Sequence, residues 1–275
     1  MIKRFNITKK DFEAIQDGTW WKPFIRQFEV DKIMEGFGKD HFDKALELGC
    51  GSGRHSKYLA TYCRRLVALE YNESRLTEHS DEKTTFLIAD AQDLSRFDDG
   101  EMDLIFSSNL IEHLPNLDQC LAECGRVVKE DGLIIHTVPN RTWKVFHLLL
   151  YYPFGIKIVL WRLFCPDKAA GLTEFLAENT KLDSNLKPLT GIDSLKTNLL
   201  PKVHGISKSH LAEFENWSEK RWLTVFESNG LQVVDIVRLP FYHGWDYNFR
   251  FILRLGNRLG LSSSTAFVLR KAEKQ

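Results

Sequence analysis

Residues 45–56 read Ala45-Leu-Glu-Leu-Gly-Cys-Gly-Ser-Gly-Arg-His-Ser56. A short apolar run carries Glu47, and glycines follow at alternate positions, Gly49, Gly51 and Gly53. Glycine tolerates positive φ and has no Cβ, so a backbone built from it can approach a ligand closely. A helix start downstream offers N–H groups without intrahelical partners. The stretch therefore reads as a strand handing over to a helix across a turn that a nucleotide-like ligand can touch.

Working outward, strands and helices alternate. Strands are expected at Ala45–Leu48, Leu66–Glu70, Thr85–Ala89, Met102–Ser107 and Leu133–Val138, with helical stretches near 54–63, 72–79 and 117–129. Asp131-Gly132 reads as the stop after the last of these. Such alternation implies right-handed crossovers and an α/β, doubly wound, mostly parallel sheet. The pattern breaks over 140–216 and resumes with a helix at Ser218–Ser228, a strand at Leu231–Val237, a helix around 246–259 and a strand at Thr265–Leu269. The organisation expected is an N-terminal helical segment (1–39), a seven-stranded Rossmann-like core (40–139 and 217–275) and a helical insertion after the fifth strand (140–216). An insertion there would lie over the carboxyl ends of the strands, where open α/β sheets bind ligands.

Composition sets bounds on function. The chain has 275 residues, 43% hydrophobic and 27% charged, as in a soluble globular protein. Lys+Arg and Asp+Glu both total 37, for a formal net charge of +0, which argues against a general nucleic-acid binder. The five cysteines form no zinc-type pairs, and their odd number fits a reducing cytoplasm. No metal is expected, and the basic pair near Met1 is not followed by a signal-peptide core.

The glycine spacing discriminates between ligands. A dinucleotide fingerprint needs G-x-G-x-x-G, and Arg54 stands where its third glycine belongs. Glu47-Leu-Gly49-Cys-Gly51-Ser-Gly53 instead resembles the E/D-x-G-x-G-x-G motif of class I S-adenosylmethionine-dependent methyltransferases. Further landmarks follow in order: Glu70 ending the second strand, Asp90-Ala91 after the third, and Asn109-Leu-Ile-Glu-His-Leu-Pro115 after the fourth. The resemblance covers residues 40–139, with a weaker match at 218–270. Singly, each landmark also has a plain structural reading: Gly51 a tight turn, Glu70 a solvated strand end, Asp90 a helix cap.

The resemblance implies S-adenosyl-L-methionine as cofactor. Glu47 would hold its ammonium end, Gly49, Cys50, Gly51 and Gly53 its carboxylate and ribose through turn amides, Glu70 the ribose hydroxyls, and Asp90 with Ala91 the adenine. Ser107 and Asn109, at the exit of the fourth strand, complete the expected set. A sulfonium donor arrives activated, so catalysis is orientation and desolvation. A hydroxyl acceptor also benefits from a base. His113 is the first candidate, His204 the second and His210 a weaker third, while His136 is expected to be structural.

The acceptor is sought in the insertion. Trp143–Phe164 is the most apolar stretch, and Pro153 with Gly155 is expected to split it into two short helices. One reading is a lid packed on the core. The other is a greasy groove or interfacial segment, with Trp143, Tyr151, Tyr152 and Trp161 beside Arg141, Lys144, Lys157 and Arg162 at a lipid boundary. Arg250, Arg254 and Arg258 recur every four residues and suggest a basic ridge for phosphate or anionic lipid. Pro201–Gly205, Trp222, Phe226 and Leu239-Pro240 faintly resemble bacterial methyltransferases of surface-glycan synthesis. The expectation is a cytoplasmic O-methyltransferase of a small or lipid-linked glycan-like acceptor, with the inner membrane face as a peripheral partner. N- or C-methylation of another metabolite, or a non-catalytic binding module, are the alternatives.

Overall fold

The computed structural model describes residues 21–76, 82–164, 203–242 and 250–272. Seven strands form one sheet: β1 (Phe42–Leu48), β2 (Cys63–Glu70), β3 (Thr84–Ile88), β4 (Met102–Ser108), β5 (Val128–Pro139), β6 (Leu231–Arg238) and β7 (Ser264–Lys271). Their order is β3-β2-β1-β4-β5-β7-β6. The first five are parallel neighbours, and β7 runs antiparallel to both β5 and β6. The helices are α1 (Trp21–Ile33), α2 (Ser56–Leu59), α3 (Leu117–Val127), α4 (Arg141–Phe164), α5 (His210–Asn216), α6 (Glu219–Ser228) and α7 (Arg250–Arg258).

The core lies on both faces of the sheet because side chains alternate along each strand. Leu46, Leu48, Ile105 and Ile134 point to one face, where they join Leu121, Trp222 and Phe226 of α3 and α6. Ala45, Leu104, Phe106, Leu133 and Ile135 point to the other, with Val30 of α1 and Leu59 of α2. Central strands buried on both sides read as continuous apolar runs, which is why they were visible in the sequence.

Four local expectations are corrected. The helix expected at 54–63 shrinks to the single α-helical turn of α2, and residues 73–75 form a 3-10 turn. β5 begins at Val128, so Asp131-Gly132 lies inside the strand instead of ending a helix. There the neighbouring β4 is irregular in register between Met102 and Leu104, and an added Gly132 Cβ would meet the Met102 and Asp103 carbonyl oxygens at 3.1 Å. Finally, α4 is one helix of 24 residues that runs through Pro153. Proline costs a helix interior about 3 kcal/mol by removing a donor to the carbonyl four residues back. Here Pro153 and Leu149 are both exposed, so water can take up the orphaned carbonyl.

The strand order reverses between β1 and β4. Connections leave to opposite sides there, opening a crevice at the carboxyl ends of the strands. The glycine turn follows β1, and Asn109 follows β4.

Candidate active site

The turn after β1 is built on left-handed backbone. Gly49, Gly51 and Gly53 have φ of 66°, 59° and 82°. A Cβ on Gly49 would strike Leu110 at 2.8 Å, whereas one on Gly51 would meet no described atom within 4 Å. Gly49 is thus favoured first by its left-handed backbone, with the Leu110 tip close by. Gly51 faces open space of the kind a ligand's approach needs. The Cys50 N–H donates to the Leu69 carbonyl at 2.8 Å, and burial pushes its thiol up to about 12.

Glu70 braces this turn. It is buried, and its two oxygens accept the backbone N–H groups of Gly51 (2.9 Å) and Asn72 (3.0 Å). An ionised carboxylate has about four lone-pair positions, so two backbone bonds leave capacity for hydroxyl donors. Glu47 is buried behind the turn, where its Oε2 accepts from Ser56 Oγ at 2.5 Å. Burial pushes its carboxyl up to about 7.

A cleft of about 680 Å³ opens at this edge, lined by Gly49, Glu70, Asp90, Ala91, Asn109 and His113 among others. That volume suits a nucleoside-sized ligand. Asp90 Oδ1 accepts from the Gln92 N–H at 2.9 Å, fixing the bend after β3. Asn109 sits at φ 51°, a conformation asparagine tolerates better than most residues, and its N–H donates to the Thr137 carbonyl at 2.8 Å.

The second part of the site is a corner beyond β4. Ile111–His113 form a 3-10 turn that aims His113 at the cleft. The His204 ring meets that of His113 edge-on, 4.5 Å between centroids, with Trp143 and Trp217 packed beside it. Burial, with the nearby charge of Arg75, holds His113 below its ordinary value. Burial, with His113 and Lys144, brings His204 down to about 4. Both rings are therefore neutral at pH 7. Behind them Glu112 is buried, and burial pushes its carboxyl up to about 8.

His204 is placed by a remote ion pair. Its backbone N–H donates to Glu213 Oε2 at 3.0 Å, and the same oxygen accepts from Lys144 Nζ at 2.7 Å. Both side chains are shut off from solvent. Gly205, at φ 69°, lets this loop lie against the Glu112 backbone, since a Cβ there would come within 2.7 Å of the Glu112 carbonyl oxygen.

Residues 46–136 match a protein family described as "Methyltransferase domain". The chain carries a class I S-adenosylmethionine-dependent methyltransferase domain. It is 28% identical to the ubiquinone biosynthesis O-methyltransferase of Maricaulis maris over 154 residues, 48% of this chain and 61% of that protein. It is 23% identical to the protein of the same description from Photobacterium profundum, over 53% of this chain and 69% of that one. The chain thus spans less than two thirds of the Maricaulis relative. An S-adenosylmethionine-dependent methyltransferase from Mesorhizobium loti shares the fold, with a TM-score of 0.51 at 11% identity over 90% of this chain and 98% of that one.

Within this methyltransferase domain the expected residues divide. Gly49, Glu70, Asp90, Ala91, Asn109 and His113 line one cleft, and Gly51 abuts open space beside it. Glu47, Cys50 and Gly53 belong to the turn's support and do not line the cleft. Ser107 is turned away: it is fully buried, its Oγ 2.8 Å from Nδ1 of His136, which is itself fully buried. His210 contacts Lys144 Nζ at 2.8 Å and does not reach the His113 ring. Trp143 and Lys144, read as boundary residues, are both buried against the core. The side chains of Tyr152, Lys157, Trp161, Arg162, Arg250 and Arg254 lie outside the described residues. Sequence reading missed Asn72 and Gln92, although both follow an acidic strand end by two residues, the spacing of an Asx-type turn. It also missed the Lys144–Glu213 pair, whose members lie far apart in sequence and share no periodicity.

The residues present fit S-adenosylmethionine. The acceptor-rich Glu70 and the acidic bend at Asp90 line one cleft, as ribose and adenine donors require, and the Gly51 turn leaves open space for the ligand's approach.

Proposed function

We propose that this protein methylates an oxygen of a small or lipid-linked, glycan-like acceptor. The observation that supports the reading is the His113–His204 contact, with His113 on the cleft's lining, which offers neutral imidazole nitrogens as acceptors for a hydroxyl proton. S-adenosylmethionine supplies an activated methyl group and needs no covalent intermediate. The protein's part is to bind, align and exclude water. Glu70 and Asp90 anchor the nucleoside, and the 203–207 loop walls off the acceptor end. The relatives described as O-methyltransferases support oxygen as the acceptor atom. Nitrogen or carbon acceptors are the competing chemistry, and they place less demand on a base.

Contact with an anionic membrane face is part of the proposal. On α7 and just past its end the apolar residues Phe251, Leu255 and Leu259 are exposed at four-residue spacing, one position after each arginine of the ridge. Among the described residues no helix is long and apolar enough to cross a membrane.

The test is calorimetry with S-adenosylmethionine and its demethylated product, followed by incorporation of labelled methyl from the cofactor into bacterial lipid and soluble glycan extracts. Binding of both the cofactor and its demethylated product, with label in a base-stable ether, is the expected result. His113→Ala should lower turnover about 100-fold, the usual scale for a lost proton-handling group, with cofactor affinity unchanged. If neither compound binds, the reading is wrong. If label appears only on nitrogen or carbon, the oxygen assignment is wrong.

A further inference from the structure

Glu112 poses a problem that proton transfer alone does not solve. It is buried, and neither carboxylate oxygen has a hydrogen-bond partner among the described residues. A buried carboxylate is tolerated when it is paired, protonated or bound to a metal. His113 Nε2 stands 3.7 Å from Glu112 Oε1. One ligand atom from each of Glu112, His113 and His204 lies within 4.8 Å of the others. A neutral imidazole offers one ring nitrogen lone pair to a metal ion.

We propose that Glu112, His113 and His204 form a binding site for one divalent transition-metal ion at the acceptor end of the cleft. The donor set is two imidazoles and a carboxylate, which suits zinc, manganese, iron(II) or cobalt, whereas magnesium and calcium prefer oxygen ligands throughout. Bond lengths of about 2.0–2.2 Å require the three groups to draw inward by a few tenths of an ångström to under an ångström each. The ion would give the orphaned Glu112 carboxylate a partner and keep it ionised. It would also explain the ionic tether behind it: Glu213 cancels the charge of Lys144 while fixing the backbone of the ligand that comes from outside the glycine-turn core.

Three protein ligands leave coordination positions open. With both imidazoles committed to the ion, an acceptor hydroxyl bound there would lose its proton to water, and its oxygen lone pair would attack the methyl carbon while the S–CH3 bond breaks and its electron pair stays on sulfur. This role rests on the O-methylation reading, but binding of the ion does not.

The experiment uses the full chain stripped with chelator. Zn²⁺ is titrated by calorimetry, and Co²⁺ by its visible d–d absorption. Glu112→Gln, His204→Ala and His204→Asn are treated alike, with melting temperatures to confirm that each is folded. Wild type should bind one equivalent of Zn²⁺ and give a Co²⁺ spectrum of low symmetry. Each folded variant should bind at least tenfold more weakly. Absence of stoichiometric binding overturns the site, as does binding that all folded variants retain, which would mark the ion as a surface adventitious one. S-adenosylmethionine is titrated into the same stripped protein. Cofactor binding without a metal site removes this inference and keeps the methyltransferase reading, and a metal site without cofactor binding does the reverse.

Discussion

Gly51 is the residue on which the cofactor assignment can be most directly tested. Its φ of 59° disfavours any side chain, by about 1–2 kcal/mol for an ordinary L-residue and more for a β-branched one. Its Cβ position faces open space, so the protein itself does not object to added volume. Gly51→Val should therefore fold with a modest loss of stability and yet lose S-adenosylmethionine affinity by at least an order of magnitude in calorimetry. Near-normal affinity would place the ligand elsewhere. Glu47 makes a second prediction. Its folded carboxyl titrates near 7 against an ordinary value of 4.5. The folded protein thus keeps a proton that the unfolded chain releases between those values. Stability from this group is present below about pH 4.5 and is lost as the pH climbs toward 7, with a slope of about 1.4 kcal/mol per pH unit across that window. Glu47→Gln removes that titration while leaving Ser56 Oγ an acceptor. In cofactor-free protein, the melting temperature of the variant minus that of wild type should rise from pH 5 to pH 8, and a flat difference would refute the assignment. At this scale the sequence was most legible where backbone conformation dictates residue type, as at Gly49 and Gly51. It was least legible for Ser107, because whether a strand-end hydroxyl faces ligand or core depends on a partner, His136, from another strand.

Elements were legible in proportion to their burial pattern. Five parallel strands announced themselves by apolar runs, and α6 by its Ser218 cap, whose Oγ accepts from the Arg221 N–H. The misreadings share a cause: propensity gave way to packing and exposure that only the fold reveals. Pro153 persists within α4 where its lost hydrogen bond lies at an exposed surface, and Gly132 sits inside β5 where neighbouring carbonyls exclude a Cβ. The anchoring of α4 to α5 is the energetic question at this level. Lys144 and Glu213 are shut off from water, and a single replacement leaves the other charge stranded. Lys144→Met should destabilise the protein by about 3–5 kcal/mol in denaturant titration. The double variant Lys144→Met, Glu213→Leu should recover a large part of that loss, because well-packed apolar groups often match a buried pair. The recovered double variant should still turn over slowly, since it no longer holds the His204 N–H. Equal stability of single and double variants would mean that the pair is not coupled as its 2.7 Å contact implies.

Over the whole molecule, the segment that follows β6 contacts both α7 and α1, which packs beside the cofactor turn. Phe241 is clamped to α7 by Asn257, whose Oδ1 accepts the Phe241 N–H at 2.9 Å while its Nδ2 donates to the Phe241 carbonyl at 2.7 Å. Gly256 lets the ring pack tightly there, since a Cβ would fall 2.3 Å from Phe241 Cδ1. Tyr242, next in the chain, accepts from Arg26 of α1 at 2.9 Å, and Arg26 pairs with Glu29, which contacts His55 just past the glycine turn at 3.3 Å. A chain of direct contacts therefore links α7 to the cofactor turn. If the exposed Phe251, Leu255 and Leu259 enter an anionic bilayer beside the arginine ridge, each arginine should add about 1 kcal/mol of attraction. Changing Arg250, Arg254 and Arg258 together to Ser should then reduce partitioning to phosphatidylserine-containing vesicles roughly 100-fold, with little change on neutral phosphatidylcholine. Co-sedimentation measures this, and raised salt should weaken the wild type toward the variant because surface charge is screened within about 8–10 Å. Binding that ignores both salt and the arginines would assign the vesicle contact to the apolar stripe alone and remove the role of the basic ridge. No wild-type binding would leave the acceptor to arrive from solution.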